Sequence, residues 1–68
     1  MERTRENIAI LKSFLMDTGE LPHAEYVKQF HAFYVNIKRS GMLIPIYITW
    51  DKVVEAYTQY VNNLLNIK

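Results

Sequence analysis

The side chains in this sequence with the chemistry to act on a ligand are few, and their spacing decides what they can do. His23 and His31 are the two histidines, and there is no cysteine. Eight residues apart, the histidines lie about 80° apart on a helix, so they miss the i, i+4 spacing of a helical zinc pair, with or without help from Glu20 or Glu25. For Ser13, Ser40 and the tyrosines the sequence identifies no catalytic partner. No glycine-rich phosphate loop, nucleophile elbow or metalloprotease motif is present. The expectation is a non-enzymatic protein with no metal, no cofactor and no small-molecule substrate.

The remaining candidates act by contact. Lys28, Lys38 and Arg39 are close enough in sequence to form a small cationic patch. It serves either phosphate contact or helix-dipole complementation. The aromatic residues Tyr26, Phe30, Phe33, Tyr34, Trp50, Tyr57 and Tyr60 recur at helical spacing. Rings bury large apolar areas, and Tyr and Trp favour interfaces because one end is apolar and the other can meet water. Base stacking on such rings needs interleaved cations, which the last third of the chain supplies only as Lys52 and Lys68.

Sixty-eight residues make one small domain with a thin stability margin. Without cysteine there is no disulfide or thiolate metal staple. Half of the residues are hydrophobic, and eight basic against seven acidic side chains give a net charge of +1, which is no footprint for a polyanion. The N-terminus lacks an apolar signal region, and no apolar run approaches the roughly 18–20 residues of a membrane span. A soluble intracellular protein is expected, cytoplasmic or, in a eukaryotic or viral setting, nuclear, without a membrane role.

Periodicity predicts an all-α domain of three helices over 4–17, 24–39 and 50–66. The first carries Ile8, Leu11, Phe14 and Leu15 on one stripe. Gly19 is expected just past its end, in the left-handed region. The second carries Tyr26, Val27, Phe30, Phe33, Tyr34 and Ile37, with Gly41 as its stop. The third begins after Thr49 as N-cap and carries Trp50, Val53, Val54, Tyr57, Tyr60, Val61, Leu64 and Leu65. Between the last two, residues 42–48 (MLIPIYI) read as extended, because Pro45 pushes Ile44 out of the α region. No second strand-like run offers it a partner, so it is either a linker packed into the helical core or a strand that pairs with another chain. The expected core is Ile8, Leu11, Leu15, Tyr26, Phe30, Phe33, Ile37, Val54, Val61 and Leu64.

The order Leu11, Ser13, Phe14, Gly19, then Phe33, Tyr34, Ile37, Gly41, then Trp50, Val53, Val54 resembles the AT-rich interaction domain family. That family's domain has a Phe-containing helix ending in Gly, a Leu-Tyr-x-x-Val helix ending in Gly-Gly, and a later helix with Trp-x-x-Ile/Val. The resemblance implies an all-helical DNA-binding domain. This chain departs from the pattern in its shorter loop after Gly19, in Met42 at the second Gly, and in lacking the segment that follows the Trp helix. No DNA-contacting residue is carried over.

Three short helices cannot cover this many rings. The leading expectation is therefore a protein-interaction module, an adaptor, inhibitor or regulator that binds a partner protein or forms a homo-oligomer. Its expected surface is Trp50, Tyr57, Tyr60 and Ile67, with Leu43, Ile46 and Tyr47 from the extended segment. The alternative is a nucleic-acid-binding domain, a reduced relative of the family above or a helix-turn-helix-like regulator, using Lys28, Lys38 and Arg39.

Overall fold

Thr4 starts the first helix: its hydroxyl oxygen accepts a hydrogen bond from the Asn7 backbone N–H at 3.1 Å. In the computed structural model, which describes residues 1–66, helix α1 runs over Arg5–Ser13 and widens into a π-helical turn over Phe14–Thr18. Leu11 and Leu15 are buried from this stretch, with Ile8 and Phe14 partly covered.

The next segment overturns the three-helix reading. The fold is α+β, not all-α: two helices and a three-stranded antiparallel sheet in the order β1-β2-β3. Residues 24–39, expected as one helix, form two strands, β1 over His23–Val27 and β2 over Ala32–Arg39. A short 3-10 turn at Lys28–Phe30 and a left-handed His31 (φ 48°) join them. The apolar residues of this segment fit two periods at once. Tyr26, Phe30, Phe33 and Ile37 match a helix, while Phe33, Val35 and Ile37 against Tyr34, Asn36 and Lys38 match a strand. The strand wins because Phe33, Tyr34, Val35 and Ile37 put β-branched and aromatic residues into β2, and because residues 42–48 supply a partner. Val35, off the helical stripe, is fully buried, whereas Phe30, on it, is exposed.

The extended segment is β3, Met42–Thr49, and it pairs with β2 within the chain over its whole length, from Arg39↔Met42 to Ala32↔Thr49. It is not an unpaired linker, and it finds its partner strand within the chain. Ser40 and Gly41 form the two-residue loop, both at positive φ (54° and 78°), as a type I′ hairpin turn requires. Gly41 therefore turns a hairpin rather than stopping a helix. Residues flanking such a loop exchange both backbone hydrogen bonds, and the pattern then alternates. Asn36↔Pro45 falls on a non-bonded pair, so the N–H that Pro45 lacks would have faced the open edge.

Thr49 caps α2, Trp50–Leu65, as expected, its hydroxyl accepting from the Lys52 N–H at 3.4 Å. Both helices cover the same face of the sheet. The core joins Leu11, Leu15, Ala24, Phe33, Val35, Trp50 and Val53. Phe30 and Leu64, expected inside, are exposed, and Ala24, Val35, Trp50 and Val53, not expected there, are buried. Gly19 is likewise corrected: it has ordinary helical φ (−78°), and Glu20 takes the left-handed position (φ 54°). Glycine is needed at 19 for space, since a Cβ there would sit 2.6 Å from the Leu15 carbonyl oxygen.

Candidate interaction surfaces

Alternation along the strands places every second side chain on the face that neither described helix covers. Cross-strand register puts His23, Asn36 and Pro45 in one row of that face, Glu25, Tyr34 and Tyr47 in the next, and Val27, Ala32 and Thr49 in a third. Lys38 and Leu43 form the row beside the hairpin turn. Four rings run across this open face in edge-to-face contact. His23 meets Tyr34 at 6.5 Å between centroids, Tyr34 meets Tyr47 at 5.3 Å, and Tyr47 meets Phe30 at 5.5 Å. Phe30 is 61% exposed, Leu43 57% and Tyr47 56%. The formal charges on the open face are Glu25 and Lys38, of opposite sign, and Glu25 lies 3.6 Å from the His23 imidazole.

The surface expected from sequence does not form one patch. Trp50 is 3% exposed, stacked on Phe33 at 5.9 Å and met edge-on by Tyr26 at 5.5 Å. Its indole N–H donates to the Met1 carbonyl at 3.2 Å. Ile46 points to the helix-covered face and packs against the core. Tyr57 and Tyr60 close around Phe14, at 5.3 and 5.4 Å, in a shallow cavity of about 420 Å³ between α1 and α2. Leu43 and Tyr47 belong to the open sheet face. Ile67 lies outside the described residues. Past Tyr60, Leu64 and Leu65 leave an exposed apolar tip on α2.

The expected cationic patch also divides. Lys38 and Arg39 sit at the hairpin end of β2, and Lys28 sits in the turn at the other end, roughly 20 Å away along the strand. There Lys28 joins Arg3, Arg5 and His31 around a cavity of about 480 Å³ whose apolar walls are Ile8 and Tyr26. The open-face rings and this cavity were both missed from sequence, because each depends on the β1–β2 pairing that the helical reading removed. The available signal was the turn dipeptide Ser40-Gly41 between two runs containing aromatic and β-branched residues.

Among the described residues, no three His, Cys, Asp or Glu side chains gather where they could hold a metal ion, and no helix is long and apolar enough to cross a membrane. Of the residues that carried the likeness to the AT-rich interaction domain, Phe33, Tyr34 and Ile37 lie on β2. Neither a family model, nor a curated protein, nor a solved structure matches the chain.

Proposed function

We propose that this domain is a non-enzymatic protein-interaction module whose contact surface is the open face of the sheet, with a second copy of the chain as its first partner. The observation that carries this reading is the exposed ring row of Phe30, Tyr47, Tyr34 and His23 on a sheet face without a covering layer. Interface centres are rich in aromatic residues and poor in charge. One carboxylate and one ammonium leave this face electrically neutral, so it does not repel its own copy. Two such faces can stack about 10 Å apart, as the sheets of a sandwich do.

The size of the face sets the strength. Three strands about 4.8 Å apart and up to eight residues long give a footprint of roughly 14 by 25 Å. That is below the roughly 800 Å² per partner of a stable complex. Association through this face belongs to the weak, reversible class. The nucleic-acid alternative draws less support on this face, because Lys38 is its lone cation and stacking platforms interleave several.

Sedimentation velocity from about 10 µM to about 1 mM tests the proposal. The expected result is a monomer–dimer equilibrium within that range, lost in a Phe30→Ser/Tyr47→Ser double variant that still folds. A monomer at every concentration, or a dimer that the double variant leaves intact, overturns it.

A further inference from the structure

We infer that the cavity between the N-terminal segment and the β1–β2 turn is a binding site for a nucleotide unit, a phosphate joined to a flat ring, held as a ligand rather than turned over. This goes beyond the open-face reading, which uses other residues and the opposite side of the sheet.

The first argument is charge. Arg3, Arg5 and Lys28 converge on one cavity with the His31 imidazole beside them, in a chain whose net charge is only +1. Glu2 and Glu6 flank the arginines in sequence, but neither lines the cavity. The ion pair found among the described residues is His23–Glu25, elsewhere on the sheet. Like charges gathered without counter-charges focus a positive potential into a recess and raise the local concentration of anions. Two guanidinium groups are the side chains best shaped for phosphate oxygens, which they meet with paired N–H donors.

The second argument is shape. The recess holds about 480 Å³, within the range of small-molecule sites. Ile8 and the Tyr26 ring give it apolar walls that a bare inorganic anion would leave wet, whereas a planar ring could pack against them.

The third argument is that both walls are fixed before any ligand arrives. The Trp50 backbone N–H donates to the His31 carbonyl at 2.9 Å, which ties down the β1–β2 turn. The Trp50 indole N–H donates to the Met1 carbonyl, which ties down the segment carrying Arg3. Asn7 adds a side-chain donation to the Glu2 carbonyl at 2.8 Å. His31 is held in the left-handed region, which few non-glycine residues occupy. One buried tryptophan thus anchors the two chain segments that bring the cations together.

Amide chemical shifts of the full chain, recorded on titration with adenosine 5′-monophosphate, inorganic phosphate and a short single-stranded oligonucleotide, test the inference. The mononucleotide should move the signals of residues 3–8 and 26–31, bind at least tenfold more tightly than phosphate, and weaken as salt rises. Arg5→Ala and Lys28→Ala, both at exposed positions, should each weaken it several-fold, with Trp50 fluorescence showing the fold intact. An oligonucleotide that binds much more tightly than the mononucleotide identifies the unit as part of a strand. Equal binding identifies it as free. No shift at millimolar mononucleotide, shifts centred on Tyr34 and Tyr47, phosphate binding as tight as the mononucleotide, or indifference to both substitutions overturns the site. None of these outcomes bears on dimerisation through the open face.

Discussion

The two faces of the sheet are built by alternate residues of the same three strands, and each face carries two Tyr or Phe rings from those strands. Tyr26 and Phe33 point to one side, Tyr34 and Tyr47 to the other. On the covered side the rings meet Trp50, which leaves Phe33 without contact with water and Tyr26 half-buried. On the open side they meet each other, Phe30 and His23 and stay in reach of solvent. Aromatic content therefore does not separate core from contact surface in this molecule; the parity of the strand position does. A slip of one residue in register would exchange the two sets.

The sharpest way to break this comparison is to truncate a ring on each side. Phe33→Ala should cost about 3–5 kcal/mol. The total stability expected of a 68-residue chain is only about 3–10 kcal/mol, so chemical denaturation should find Phe33→Ala stripped of a large share of it. Tyr47→Ala should cost about 1 kcal/mol or less, the worth of a cross-strand pair, while removing self-association. Equal losses from both would show that the faces are not distinct.

Below these lies Gly19→Ala. The added methyl meets backbone rather than a flexible side chain, and a loss of about 1–3 kcal/mol in a urea titration is expected from such overpacking. Gly41→Ala should cost less, about 1 kcal/mol, because the space around it is empty and only its positive φ resists a side chain. The smallest effect on stability is expected for Pro45→Val. It restores an outward N–H to the edge of β3, so light scattering should report more aggregation with denaturation almost unchanged.

Parts of this fold were legible in the residues. Thr49 as a cap and the span of α2 follow from local chemistry, and Thr49 does cap α2. The extended run around Pro45 was also legible, since proline restricts its neighbour whatever the tertiary context. The hairpins were not. Between Tyr26 and Ile37 the two periods overlap, and the deciding fact is long-range: β2 is stable only because β1 and β3 flank it. The site suffered more than the fold. Trp50 looked exposed because its stripe on α2 was broader than one neighbouring helix needs. Its true neighbour is a sheet, whose flat face covers a broader stripe and takes in Trp50 and Val53 together. The cationic cavity could not be read at all, because Arg3 and Lys28 are brought together by tertiary packing alone.

Trp50 is the sole indole of the chain, and its enclosure gives the protein a built-in optical gauge. It sits against two other rings and away from bulk solvent, so its emission should shift to the red when the core opens and hold steady when a partner covers the far side of the sheet. The hydrogen bond to Met1 makes the same fluorophore sensitive to what happens at the start of the chain. Folding, docking and rearrangement of the leading segment can thus be told apart by colour and intensity in an unlabelled sample.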